Sequence, residues 1–163
     1  NDAFGVDNIN AIAKSGVDVT AIETCKDIGT STCAIVVAVD ANGENSGVCS
    51  AGANTRMTEK TAEENEQLIA SAGFLICQSE IPDAATRRAL EIARTHGVTT
   101  YLNPVPSDPK MDKSMLQLVD IICVNENEAE FITGISAKTE EEAMNAARSL
   151  IALGVKNAIV TLG

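Results

Sequence analysis

Apolar positions along the chain follow two different rhythms. Between Thr32 and Ser50 the pattern is extended: an apolar run at 33–40, the tripeptide Ala41-Asn42-Gly43, and a second extended run from Glu44 to Ser50. An Asn-Gly pair between two such runs predicts a β-hairpin. From Thr58 onward, helical periodicity alternates with short apolar runs. Helices are predicted at 59–71, 83–96, near 112–118, from 126 to a stop at Thr133-Gly134, and at 140–153. The intervening runs 74–77, 98–102, 120–124 and 156–162 read as strands. The helix at 140–153 has acidic residues in its first turn, which suits the helix dipole, and an apolar stripe at Ala143, Ala147, Leu150 and Ile151. Ahead of the hairpin a short helix is predicted at 6–14, ending at Ser15-Gly16.

Regular alternation of helix and strand predicts βαβ units and a parallel sheet covered on both faces. The expected fold class is therefore α/β: a three-layer α/β/α arrangement around a mostly parallel sheet, with the hairpin at 32–50 standing apart as a small β lid. The chain opens in what reads as a loop and closes on a buried strand. It is accordingly expected to be an internal part of a domain, with sequence missing at both ends.

Composition narrows the function classes. The chain has 163 residues, of which 45% are hydrophobic, as expected of a folded protein rather than a disordered one. Twelve Lys and Arg against 23 Asp and Glu give a net charge of −11. That balance argues against a nucleic-acid or anionic-membrane partner, and 2% aromatics leave no base-stacking platform. No apolar run approaches the roughly 20 residues that span a bilayer. The first residues are acidic and polar, unlike a signal peptide. The five cysteines, Cys25, Cys33, Cys49, Cys77 and Cys123, form no C-x-x-C pair. They are read as buried, reduced core thiols of a cytoplasmic protein, with the nucleus as the other compartment, and not as metal ligands.

Ligands of open parallel sheets bind beyond the carboxyl ends of the strands. The residues that follow the four strands are Gln78-Ser79-Glu80, Asn103-Pro104-Val105-Pro106, Asn125-Glu126-Asn127-Glu128 and Thr161-Leu162-Gly163. Carboxylates, amides and a hydroxyl on one edge suit a polyol and a metal-bound phosphate. No Walker A loop and no G-x-G-x-x-G sequence is present, which disfavours a P-loop NTPase or a Rossmann dehydrogenase. Each feature also has a plainer reading. Asn125 and Glu128 have the spacing of a capping box, Asn103-Pro104 is a turn signal, and Glu80 is a loop residue. His96 sits in a helix C-terminal turn, where a cation suits the dipole. The acidic run 59–66 is a solvated helix face.

Taken in order, the runs Asn1-Asp2-Ala3-Phe4-Gly5, Ala51-Gly52-Ala53-Asn54, Gln78-Ser79-Glu80, Leu102-Asn103-Pro104-Val105-Pro106, Val124-Asn125-Glu126-Asn127-Glu128-Ala129-Glu130, Thr133-Gly134 and Val160-Thr161-Leu162-Gly163 resemble the phosphofructokinase-B-type sugar kinase family across essentially the whole chain. The N-x-x-E motif is a family hallmark, and the glutamate at 80 points to the members that phosphorylate ribose. The resemblance implies ATP-dependent phosphorylation of the 5-hydroxyl of D-ribose, with Mg²⁺ and a monovalent cation such as K⁺. By the same resemblance Glu80 binds ribose, Asn125 contacts ATP, and Glu128 organises Mg²⁺ and phosphate through water. Thr161, Leu162 and Gly163 begin the nucleotide-binding loop. The hairpin matches the lid that covers the sugar and clasps a second subunit into a homodimer. Ser79 stands where the family usually has leucine, and Val105 where it has alanine.

The family's N-terminal sugar motif would precede Asn1. Its motif with the catalytic aspartate and anion hole would follow Gly163, so no catalytic base is expected within this chain, which by itself should be inert. Two other readings are another sugar or nucleoside kinase of the same family, and a non-catalytic module that self-associates through the hairpin.

Overall fold

The computed structural model describes residues 2–37, 45–105 and 111–162. The predicted turn at 41–43, Asp40, Asn1, Pro106 and Gly163 lie outside the described residues. The chain divides into two compact units, 1–56 and 57–163.

The first unit opens with α1 (Ala3–Lys14), which starts three residues earlier than the periodicity predicts. The reason is Asp2. Its carboxylate accepts the Gly5 N–H at 2.9 Å as an N-cap, and also accepts the Thr30 N–H at 2.6 Å and the Thr30 hydroxyl at 2.9 Å. One side chain thus starts the helix and ties it to a segment 28 residues away. The strands β1 (Thr32–Val37) and β2 (Asn45–Ser50) pair antiparallel, with Thr32 opposite Ser50 and Val37 opposite Asn45. A short 3₁₀ turn at Gly52–Arg56 follows. Gly52 has φ +46°, and a Cβ there would lie 2.6 Å from the Gly29 carbonyl oxygen, so only glycine fits.

The cysteine reading is corrected here. Cys33 and Cys49 are joined by a disulfide and are exposed. The register places them directly opposite one another, with Cα atoms 4.0 Å apart. Cys25, Cys77 and Cys123 carry no disulfide and are half-buried.

The second unit contains α2 (Glu59–Glu64), α3 (Glu66–Ser71), β3 (Phe74–Gln78), α4 (Asp83–Thr95), β4 (Thr99–Asn103), a 3₁₀ segment at Lys113–Leu118, β5 (Ile121–Asn125), α5 (Glu126–Thr133), α6 (Glu140–Ala152) and β6 (Asn157–Thr161). The single helix predicted at 59–71 is two. Asn65, at the junction, turns its amide back onto the Thr61 carbonyl at 2.9 Å and leaves helical geometry. α5 stops where predicted, at Gly134 in the left-handed region with φ +73°.

All four strands are parallel and stand in chain order, β3-β4-β5-β6. Strand side chains alternate between faces. One face (Leu75, Cys77, Leu102, Ile122, Val124, Ala158, Val160) packs with Leu90 of α4, Met115 and Leu116 of the 3₁₀ segment, and Ala146 and Leu150 of α6 into the main core. Ala62 of α2 and Ile69 of α3 pack with Ile92, Ala93 and Val98, so these two helices cover α4 rather than the sheet. The result is the expected α/β fold, a parallel sheet flanked by helices. The strands differ from the prediction in one respect: they are not buried on both faces within this unit. On the second face Phe74 and Ile76 are 60% and 69% exposed, and Ile159 is 48% exposed.

At the amino ends of the strands, Asp120 joins three of them. Its carboxylate accepts the Thr100 N–H at 2.9 Å and pairs with Lys156 at 2.6 Å, and its carbonyl accepts the Asn157 N–H at 2.8 Å. Burial pushes this carboxyl up, but the Lys156 ammonium and the Thr100 donors outweigh it and hold it below the usual range. The opposite edge is left for the candidate site.

Candidate functional site

The carboxyl edge is assembled by register. Gln78 stands opposite Asn103 across β3 and β4, and Asn125 opposite Thr161 across β5 and β6. The pairing of β3 with β4 is prolonged by a bond from Ser79 N–H to the Val105 carbonyl at 3.1 Å. Asn103 links the two halves: its Nδ2 donates to the Cys123 carbonyl on β5 at 2.8 Å. The turn reading of Asn103-Pro104 anticipated the end of the strand but not this cross-strand bond. The available signal was an amide at a strand terminus, where a neighbouring strand offers a carbonyl.

Asn125 is the N-cap of α5, and the capping box predicted from spacing is present in full. Asn125 Oδ1 accepts the Glu128 N–H at 2.9 Å, and Glu128 Oε2 accepts the Asn125 N–H at 3.0 Å. A third bond runs from Asn125 Nδ2 to Glu128 Oε1 at 2.8 Å. Glu128 is 9% exposed. The Thr161 hydroxyl faces the Val124 carbonyl at 3.4 Å. Glu80 lies two residues beyond β3, exposed, and Leu162 is exposed just beyond β6.

The strand order spaces these groups. Adjacent strands are about 4.8 Å apart, so the end of β3, with Glu80, lies roughly 10 Å from the end of β5 and roughly 15 Å from that of β6. The segments 78–80, 103–105, 125–128 and 161–162 contain no Lys or Arg. A phosphate chain on this edge would meet backbone N–H groups, amides, a hydroxyl and the carboxylates of Glu80, Glu126 and Glu128, with its charge left to a cation.

Glu128 fits such a cation indirectly. Each Glu128 oxygen already accepts a bond from Asn125 and keeps one further lone pair, which suits holding an ion's water rather than the ion. Among the described residues no cluster of three or more His, Cys, Asp or Glu could chelate a metal directly.

Burial pushes the Cys77 thiol up to about 11, so it is protonated and not a nucleophile. The Tyr101 hydroxyl is raised by its bond to Cys123, and next by burial. His96 bonds Glu66 at 2.7 Å, away from this edge.

A parallel α/β sheet with this edge defines a class, and sequence comparison agrees with it. Residues 1–163 match the pfkB family carbohydrate kinases, and the chain belongs to that family. It is 36% identical over 163 residues to a ribokinase of Haemophilus influenzae, covering all of this chain and 52% of that protein. The structure of ribokinase from Giardia lamblia superposes with a TM-score of 0.83 at 25% identity, over 100% of this chain and 51% of the other. That of Arabidopsis thaliana ribokinase complexed with ribose and ATP superposes with a TM-score of 0.72 at 27% identity, over 84% of this chain and 44% of the other. The chain thus spans about half the length of the curated relatives it matches.

Proposed function

We propose that the full-length protein is a ribokinase, which transfers the γ-phosphoryl group of ATP to the 5-hydroxyl of D-ribose. The observation that carries this reading is the placement of residues 80, 125, 128 and 161 on one sheet edge in a pfkB-family chain. The similarity to proteins named ribokinase supports ribose as the sugar.

In this reading Glu80 accepts hydrogen bonds from ribose hydroxyls, a role that needs an acceptor-only group on the exposed edge. Asn125 contacts the nucleotide. Thr161, at the end of β6, and Leu162 just beyond it belong to the nucleotide site. Mg²⁺ would neutralise phosphate charge, with Glu128 holding one of its waters. A monovalent cation completes the expected requirement, with no residue of this chain assigned to it. The chain's own contribution is orientation, which is most of what phosphoryl transfer asks of a protein. No residue of this chain is assigned as the proton acceptor for the 5-hydroxyl. The hairpin at 32–50 serves as a lid that excludes water and as a homodimer contact, in a cytoplasmic enzyme.

The test is ADP release by purified full-length protein with ATP and Mg²⁺, comparing D-ribose with other pentoses, hexoses and nucleosides. Saturable turnover that prefers ribose is expected. Turnover on a nucleoside or hexose alone would overturn the ribose assignment, and no turnover on any would overturn the kinase reading.

A further inference from the structure

The seam between β4 and β5 is short. β3 and β4 pair over five positions, as do β5 and β6, whereas β4 and β5 pair over two, Tyr101 with Ile121 and Leu102 with Ile122. Bonds in a parallel ladder recur at every second residue, so the backbone donor that would follow Leu102 toward the end of β5 is residue 104. That residue is Pro104, which has no N–H. The Asn103 side chain stands in for it: its Nδ2 reaches the Cys123 carbonyl at 2.8 Å and continues the seam to the carboxyl edge. The same segment is tied on its other side. The Asn103 carbonyl accepts the Val105 N–H at 2.9 Å, which turns the chain about the buried Pro104, and the Val105 carbonyl accepts the Ser79 N–H at 3.1 Å. A bonded path thus runs from Glu80, through Ser79, Val105 and Asn103, to Cys123 and on to Asn125.

We propose that Asn103 is a positioning residue for phosphoryl transfer, setting the separation between the acceptor at Glu80 and the nucleotide at Asn125 through its bond to the Cys123 carbonyl. The inference rests on the kinase reading above, but not on which sugar is the acceptor. Reacting atoms must approach to about 3–3.5 Å before transfer, and a misplacement of about 1 Å costs about 100-fold in rate. The two ends stand on strands two apart, roughly 10 Å from each other. The briefly paired seam lies between them, which is where such an error would arise. Asn103 acts through Cys123 and need touch neither substrate. Glu80 and Asn125 keep their own supports, the β3–β4 ladder for the one and the bonds to Glu128 for the other. Each substrate should therefore still bind when the Asn103 amide is gone, and what is lost is their spacing. At the amino end of the same seam, Thr100 donates its N–H to Asp120 and its hydroxyl to the Leu118 carbonyl. Loss of the Asn103 bond therefore loosens one end of the seam without separating the strands.

The test uses full-length protein, wild type and two variants: Asn103→Ala, which deletes the donor, and the milder Asn103→Ser, whose hydroxyl falls short of the carbonyl. Calorimetry gives the Kd and stoichiometry of the acceptor sugar and of a non-hydrolysable ATP analogue with Mg²⁺, and kcat is expressed per nucleotide site so counted. Both variants should bind each ligand with a Kd within about threefold of wild type, while kcat per site falls about 10–100-fold. A residue that merely held the fold together would lower the number of sites and leave kcat per site unchanged. Wild-type kcat per site in either variant, or a fall in kcat matched by an equal weakening of either Kd, would overturn the positioning role and leave the kinase reading intact. A wild-type protein that phosphorylates no acceptor would overturn the kinase reading, and this role with it.

Discussion

Glu128 holds Asn125 by both backbone and side chain: Oε2 accepts the Asn125 N–H at 3.0 Å and Oε1 accepts its Nδ2 at 2.8 Å. The same bonds that start α5 therefore fix the orientation of the two side chains proposed to serve the nucleotide. The capping reading and the functional reading of this N-x-x-E sequence describe one arrangement, and mutations can separate its two consequences.

Asn125→Ala should cost about 1 kcal/mol, the usual worth of an N-cap. Asn125→Ser keeps a good cap, so thermal denaturation should move little while the KM for ATP rises. Glu128→Gln replaces one acceptor oxygen with an N–H donor that faces donors, and should cost about 1–2 kcal/mol and lower kcat in the full-length enzyme. An unchanged KM for ATP in the Asn125→Ser variant would remove Asn125 from the nucleotide site.

Glu80 is exposed beyond β3, so Glu80→Ala should leave the melting temperature unchanged. A hydrogen bond to a charged group is worth about 1.5–3 kcal/mol, or roughly 10–100-fold in the KM for ribose. Steady-state kinetics of the full-length variant decide this, and a wild-type KM for ribose would exclude Glu80 from the sugar site.

Asp2 makes the first unit acid-sensitive. Donation from Thr30 N–H first, then from Gly5 N–H and the Thr30 hydroxyl, holds its carboxyl at about 2, against an ordinary 3.8. A depressed value means stabilisation that is complete above 3.8 and is lost as pH falls from there through about 2. The Thr30 amide signal, followed by NMR, should titrate near the lower value. Asp2→Asn should abolish that titration, and a midpoint near 3.8 in the wild type would contradict the bonding.

Asp120 pins the strands at the edge opposite the site. Asp120→Ala leaves the Thr100 N–H without its carboxylate and frees Lys156, and should cost about 2–3 kcal/mol in urea denaturation. Thr100→Val, which also removes the bond from Thr100 Oγ1 to the Leu118 carbonyl at 2.8 Å, should move in the same direction. A loss below about 0.5 kcal/mol for Asp120→Ala would mean that the register is held elsewhere.

The element order and the capping box at Asn125 could be read from sequence because they follow local rules: periodicity, caps and turn residues. The split at Asn65 could not, because a side chain competing for the Thr61 carbonyl leaves no mark on periodicity. The exposure of Phe74 and Ile76 was equally hidden. A continuous apolar run reads as doubly buried, and only the tertiary placement of α2 and α3 on α4 shows which face the helices cover. The Cys33–Cys49 pair was hidden as well, since counting outward from Asn42-Gly43 puts Cys33 opposite Gly52 and Cys49 opposite Val36, out of step with the register that brings the two cysteines together. At the sheet edge, the segments that follow the strands could be read from the sequence, but not the bond from Asn103 to the Cys123 carbonyl, which depends on which strands become neighbours.

Because the four parallel strands among the described residues stand in the sheet in the order they occur in the chain, none of these four has to be inserted between two already paired ones. Assembly can proceed by accretion as the polypeptide leaves the ribosome, each strand docking on its predecessor. The edge that carries residues 80, 125 and 161 is then completed in the same sequence. A nascent chain halted before β6 has Asn125 in place without Thr161 opposite it, so within this sheet the nucleotide end of the edge is the last part to mature.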